Sequence, residues 1–506
     1  MRAVARVGAL FASLALSSCD RGVRAMPDAS FDAIPCEMRT PIEVVSGLDY
    51  GSLGALWSGS DPSAEPVVGA AIPLPNGDLL ASGDPGPELV VRLTSRGEVT
   101  PVLSRRRFMQ LASDGNVGFF VSDATSHGVT PGQQFLEVGL FDIASGTLTA
   151  ASSLVPIDNC DGVGRWSPVI SGGHYLVVRL ACSLRDHSQV IVLERWEQRG
   201  GEMVRTVGPI EAPQPGDRDL IGNTTVSADG HGGLWYLGSV PTEGGTNYTV
   251  HAVHWDGTDT PPTLSAPLGD SPEVEHHAFG AFGETLASGD YLMAINAVSR
   301  GFTRTWVARV RPDMSFAWTW TSPTGFVSGP DWVAADTFGD ETRILLYQPA
   351  SRMRVYVQGL DAEGRDVWPE PLVIRDFSMS MSGASAQLVE LTRLAAHRDG
   401  SFTAHTSGAF EYETTYFDPT GAPISTSRFA GGSDFGTAMY PDDNFGVWFV
   451  TSGYIQHYDR TGWPLYREWS YSEGCGYRPG IVTRTAPDAE PMTYFYDNGW
   501  PPRPRL

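Results

Sequence analysis

SADGHGGLWYLG (227–238) and HWDGTDTPPTL (254–264) decide how this chain is read. In the first, an Asp-Gly turn opens into a run of strand formers, Leu234-Trp235-Tyr236-Leu237. In the second, a strand ending at Trp255 closes on another Asp-Gly turn, and a new strand follows. Asp and Gly supply the positive φ that β-branched residues resist, so each stretch marks the tip of a hairpin.

Working outward, both signals recur. The first type returns as PNGDLLAS (75–82), SDGNVGFFVS (113–122), SGGHYLVV (171–178), SGDYLMAINA (288–297), FGDETRILLYQ (338–348), HRDGSFTAHTSG (397–408) and PDDNFGVWFVTSG (441–453). The second returns as LTSRGEVTPVL (93–103), FDIASGTLTAAS (141–152), RWEQRGGEMVRTVGPI (195–210), VRPDMSFAWTW (310–320), LDAEGRDVWPEPL (360–372), FDPTGAPIST (417–426) and YDRTGWPLYREWS (458–470). The two types alternate. Marked by Gly97, Gly146, Gly201, Gly257, Met314, Gly364, Gly421 and Gly462, the second type is spaced by 49, 55, 56, 57, 50, 57 and 41 residues. Two hairpins per unit make four strands. A four-stranded sheet has two apolar faces and cannot stand alone, whereas radial stacking covers both. The expected fold is therefore all-β, a single β-propeller of eight blades, each a four-stranded antiparallel sheet, with seven blades the alternative. EVVSGLDYGSLGALWSG (43–59) and PDAEPMTYFYDNGW (487–500) lie outside the repeats and are expected to complete one blade from both ends of the chain.

Composition agrees with a packed, turn-rich chain. Of 506 residues 41% are hydrophobic and 10% aromatic, with 57 glycines and 37 prolines. That carries enough apolar surface for a core and too much aromatic content for disorder. All 35 basic residues are arginine, against 58 acids. Without residues 1–18 the net charge is −25, a field that repels phosphate backbones and anionic headgroups, so nucleic acid is not an expected partner.

The N-terminus reads as an export signal. Arg2 and Arg6 precede a ten-residue apolar stretch, Val7 to Leu16, which is too short for a membrane span of about 20 residues. Leu16-Ser17-Ser18-Cys19 then resembles the bacterial lipobox. The resemblance implies cleavage before Cys19, acylation of its thiol and new N-terminus, and attachment to the membrane through that lipid alone. Asp20 resembles an inner-membrane retention signal. Residues 1–18 are thus expected as a lipoprotein signal peptide, 19–40 as a flexible tether and 41–506 as the propeller, in the cell envelope facing the periplasm or exterior. With Cys19 lipidated, four cysteines remain for an oxidising compartment. Of the three possible pairings, Cys160–Cys182 and Cys36–Cys475 are expected, the first local and the second joining the start of the array to its end.

LDAEGRDVWPE, with Leu360, Asp361, Gly364 and Trp368, resembles the repeat of quinoprotein-type (PQQ-like) β-propellers. FDIASG (141–146), FDPTG (417–421) and YDRTG with Trp469 resemble it more loosely. That family includes quinone-dependent dehydrogenases and non-enzymatic envelope assembly lipoproteins. The dehydrogenases need calcium and an adjacent cysteine pair, which this sequence lacks. The resemblance accordingly implies fold and not redox activity, and no cofactor is expected.

Catalytic motifs are absent: no Gly-x-Ser-x-Gly elbow, phosphate loop, His-Glu-x-x-His or calcium loop occurs, so no catalytic residue and no metal site are assigned. His251, His254, Asp256 and Asp259 cluster at one turn, but positions 251 and 254 of a strand face opposite ways, so they read as polar turn residues. Glu275-His276-His277 and the basic run Arg105-Arg106-Arg107 read as loop residues, and Trp318 and Trp320 as core or blade-docking residues, with a carbohydrate-stacking or protein-binding face as the alternative. The resulting expectation is an envelope scaffold that binds a protein or a glycan. The alternative is an extracytoplasmic glycosidase or lyase with convergent acids at the central channel. Acids of perturbed pKa gathered there would favour the enzyme.

Overall fold

The computed structural model describes strands and tight turns between Val67 and Pro504, apart from connecting segments of which the longest are 126–133, 158–165, 213–225, 377–391 and 470–479. Among the described residues there is no helix. The strands form eight consecutive antiparallel meanders of four, spanning 67–105, 109–151, 166–211, 227–264, 279–321, 335–376, 393–430 and 436–469. They are called meanders 1 to 8 below.

Both hairpin signals fall where the sequence placed them at every described turn; Gly97 and Gly462 lie outside the described residues. Positive φ occurs between the first and second strands at Gly77, Gly115, Gly173, Gly230, Gly289, Gly339, Gly400 and Phe445. Between the third and fourth strands it occurs at Gly146, Gly201, Gly257, Met314, Gly364 and Gly421. Met314, the non-glycine in that series, adopts φ 67° like its glycine counterparts. At Gly364 the need is doubled. Its φ is 75°, and a Cβ there would lie 2.4 Å from Cδ2 of Trp318.

Within a meander, alternate residues of a strand point to opposite neighbours. In Tyr291–Ser299, the second strand of meander 5, Tyr291, Met293 and Ile295 pack with Trp235, Leu237 and Val250 of meander 4. Leu292 and Ala294 pack with Ile344, Leu346 and Tyr356 of meander 6. Burial on both faces is why such strands read as continuous apolar runs.

The same packing links every successive pair. Leu80 and Val90 of meander 1 meet Phe120 and Phe141 of meander 2, and Phe119 and Leu140 of meander 2 meet Val177 and Trp196 of meander 3. Leu176 and Val178 meet Leu234 and Trp255, and Leu345 and Val355 of meander 6 meet Phe402 and Phe417 of meander 7. The His405 ring of meander 7 lies 4.2 Å from that of Phe449 in meander 8. Finally Trp448, Val450 and Ile455 of meander 8 pack on Leu79, Ala81 and Val91 of meander 1.

Short extra strands, Val155–Ile157 and Val274–Glu275, pair with the third strands of meanders 2 and 4, and two larger features also depart from the simple repeat. The fourth strands of meanders 2 and 3 touch in parallel at Ala151 and Glu202, joining both meanders into one sheet. At the other end of the chain, the strands Gly480–Ala486, Ala489–Tyr496 and Arg503–Pro504 add to the fourth strand of meander 7 through pairs such as Thr426 with Thr485. This corrects the expectation for 487–500. Each of the eight meanders draws its four strands from one continuous stretch, and the C-terminal strands extend meander 7. Residues 43–59 lie outside the described residues.

Candidate functional site

Successive first strands lie side by side, as Val67–Pro73 does with Met109–Ser113 and Ala335–Phe338 with Arg393–Ala396. Their side chains form a polar cluster centred on meanders 5 and 6. Glu284 sits near the end of Phe279–Thr285, and Asp336 and Thr337 are in the neighbouring Ala335–Phe338. The Thr337 hydroxyl donates to Glu284 Oε2 at 2.8 Å. Asp336 accepts the Thr337 amide at 3.0 Å and the Ala396 amide of meander 7 at 2.6 Å. On the other flank the hydroxyls of Thr285 and Ser227, from meanders 5 and 4, are 2.7 Å apart. Gly283 leaves room for Tyr291, whose hydroxyl lies 1.8 Å from where a Cβ would stand.

Glu284 and Asp336 are half-buried, so they keep some contact with solvent, but the protein around them dominates their ionisation. Burial pushes the Glu284 carboxyl up to about 7, against the opposing Thr337 hydrogen bond. Burial, and then the charge of Glu284, hold Asp336 well above the usual carboxylate range. Burial and then the charge of Asp336 push the Tyr440 phenol, in the first strand of meander 8, up to about 12. Two carboxyls in electrostatic contact cannot both ionise freely, so near neutrality the pair retains a proton. It can therefore accept hydrogen bonds and also donate one. Asp336 uses two of its roughly four lone-pair sites on these amides.

A second arrangement occurs twice. In meander 4, Asp229 accepts from the amides of His231 and Gly233 and from Ser171 Oγ, and bonds His254 Nε2 at 2.9 Å. The His254 ring lies 4.3 Å from that of Trp235. In meander 8, Asp442 accepts from the Gly446 amide and bonds His457 Nε2 at 2.6 Å, and His457 stacks on Trp448 at 4.0 Å. Desolvation opposes ionisation of Asp229, but its hydrogen bonds, led by the one from His254, outweigh it and hold its pKa far down. Each set pins a tight turn to the third strand of its own meander. The signal was in the sequence as Asp-x-x-x-Gly-x-Trp followed by His before an aromatic-Asp pair, DGHGGLW with HWD and DDNFGVW with HYD. No signal of that kind marks Glu284 or Asp336, which come together only through neighbouring first strands.

The residues expected from sequence are dispersed. His251 and His254 do serve opposite sides: His251 bonds the Ser265 carbonyl and Thr249, while His254 belongs to the Asp229 set. Asp256 accepts from the amide and hydroxyl of Thr258, and Asp259 is exposed. Trp318 and Trp320 do not form an open stacking face. Their indole N–H groups donate to the Ala362 carbonyl and to Asp366 of meander 6, docking one meander on the next. Cys19, Cys36, Cys160 and Cys475 lie outside the described residues, as do His276, His277, Arg106 and Arg107. Only the backbone is described for Cys182, Glu275 and Arg105, each in a strand.

No family model and no curated protein matches the sequence. Solved structures to which the chain is similar include prolyl oligopeptidase B from Galerina marginata bound to a 25mer macrocyclization substrate, with a TM-score of 0.35 and 11% identity over 85% of this chain and 55% of that one. A prolyl endopeptidase structure gives 0.43 and 12% over 86% and 55%. The α-L-arabinanase of Penicillium chrysogenum complexed with arabinobiose gives 0.33 and 11% over 59% and 94%. The chain thus spans about half the length of these two peptidases.

Proposed function

We propose that the eight meanders close into one eight-bladed propeller, carried on a lipid at Cys19, and that this propeller binds glycans in the cell envelope. The observation that carries the reading is the first-strand cluster of Glu284, Asp336, Thr337, Thr285 and Ser227. A pair of carboxyls holding one proton among hydroxyls is a donor and acceptor set suited to the vicinal hydroxyls of a sugar. The strongly acidic chain, with 58 acids to 35 bases, disfavours polyanionic ligands.

One observation favours a second reading, glycoside cleavage. A carboxyl pushed up to about 7 keeps a substantial protonated fraction near neutrality, as a general acid must, and Asp336 beside it would be the second carboxyl of such a pair. Both readings meet the same test. The full chain is titrated with neutral oligosaccharides by calorimetry and assayed for new reducing ends. Binding without turnover, weakened at least about tenfold in a Glu284→Gln variant that still melts cooperatively, supports the first reading. Turnover lost in Glu284→Gln replaces it with the second, and a wild-type chain that binds no oligosaccharide ends both.

A further inference from the structure

We infer that the junction between meanders 8 and 1 is the joint at which the ring opens. The inference rests on the closure proposed above. Of the eight junctions in such a ring, the chain itself crosses seven, because each meander is built from consecutive strands and leads into the next. At those seven a connecting segment holds the neighbour nearby at high effective concentration, so a transient separation is quickly reversed. At the eighth no strand of meander 8 is contributed by the start of the chain among the described residues, and the C-terminal strands turn back to meander 7.

Among the described residues, what holds meanders 8 and 1 together is side-chain contact. Trp448 Nε1 donates to the Gly77 carbonyl at 2.8 Å, and the Tyr440 hydroxyl donates to the Ala71 carbonyl at 3.2 Å. An apolar cluster of Ala71, Leu79, Ala81, Val91, Leu93, Trp448, Val450 and Ile455 completes the contact. Tyr440 connects this joint to the first-strand cluster, since its phenol is within the electrostatic reach of Asp336. Opening releases that phenol from Ala71. Units that meet only through nearest-neighbour contacts separate at the least-tethered boundary first.

Amide hydrogen exchange of the full chain, without ligand, tests this independently of what the cluster binds. The strands Val67–Pro73, Leu79–Asp84, Val447–Thr451 and Tyr454–Tyr458 are expected to exchange at least about tenfold faster than Phe279–Thr285 and Tyr291–Ser299, their counterparts in meander 5. Trp448→Phe keeps an aromatic ring, removes the donor to Gly77, and is expected to raise exchange in both meander 1 and meander 8. Equal protection at this junction and in meander 5 overturns the joint and leaves closure standing. A Trp448→Phe effect confined to meander 8, with 67–84 unchanged, overturns closure and the joint together.

Discussion

Meanders 4 and 8 carry the same local device and use it differently. Both fasten a tight turn with an aspartate, a glycine amide, a histidine and a tryptophan. The outward use of the tryptophan differs. Trp235 stacks on Tyr291 of meander 5 at 5.3 Å, and its indole N–H finds no acceptor among the described residues. Trp448 donates that N–H to Gly77 of meander 1. Meander 4 leads directly into meander 5 along the chain, whereas meanders 8 and 1 lie at opposite ends of the described chain. Flat aromatic contact suffices where the chain already keeps two meanders together. Where it does not, the same residue adds a directional bond.

The most disruptive way to break this comparison is to remove the aspartates. Asp229→Ala strands the amides of His231 and Gly233, Ser171 Oγ and His254, and is expected to cost about 3–5 kcal/mol. Asp442→Ala strands the Gly446 amide and His457 in the same way and is expected to cost a comparable amount. Denaturant melts of both variants check this. The next contrast sharpens the comparison. Trp448→Phe leaves a carbonyl unpaired and should cost about 1–3 kcal/mol, while Trp235→Phe removes a donor that was already unpaired and should cost less than about 1 kcal/mol. Equal losses would show that the two tryptophans do the same work.

Acid should separate the two regions again. Burial drives His397 down to about 4 and His405 down to about 3, both in meander 7 against meander 8. The unfolded chain takes up these protons near pH 6.5, before the folded one, so stability present above that pH is lost as pH falls toward about 4 and then 3. Burial also lowers His251 in meander 4, but its bond to the Ser265 carbonyl opposes the shift. Exchange protection should therefore fail in meanders 7 and 8 before it fails in meander 4. The depressed pKa of Asp229 has its effect lower, withdrawing stability as pH drops below about 4.

The smallest expected effect lies at the cluster next to meander 4. The raised pKa of Glu284 gives stability that is complete below about 4.5 and is lost as pH rises through about 7. Glu284→Gln should flatten that alkaline decline in melting temperature. An unchanged decline would assign it to other groups.

The tight turns were the legible part of this fold. Polar Asp/Gly/Asn turns followed by apolar runs located all eight hairpins between first and second strands, and even the odd member of the other series, Met314, adopts the conformation its position implied. The tryptophans were legible only as a choice, because an indole on an outer strand looks the same in sequence whether it meets a sugar or, like Trp320, docks on an aspartate of the next meander. The carboxyl cluster was invisible for a related reason. Glu284 and Asp336 are separated by a whole meander, and neither carries a flanking pattern that distinguishes it from the other acids.

By itself the sequence determined the repeat, its four-strand unit and its turns, because these depend on local φ preferences and on the alternation of side chains along a strand. Tertiary structure decided which acids meet, which tryptophan finds an acceptor and where the final strands go. Those outcomes depend on how neighbouring sheets face one another across distances along the chain that no local pattern encodes.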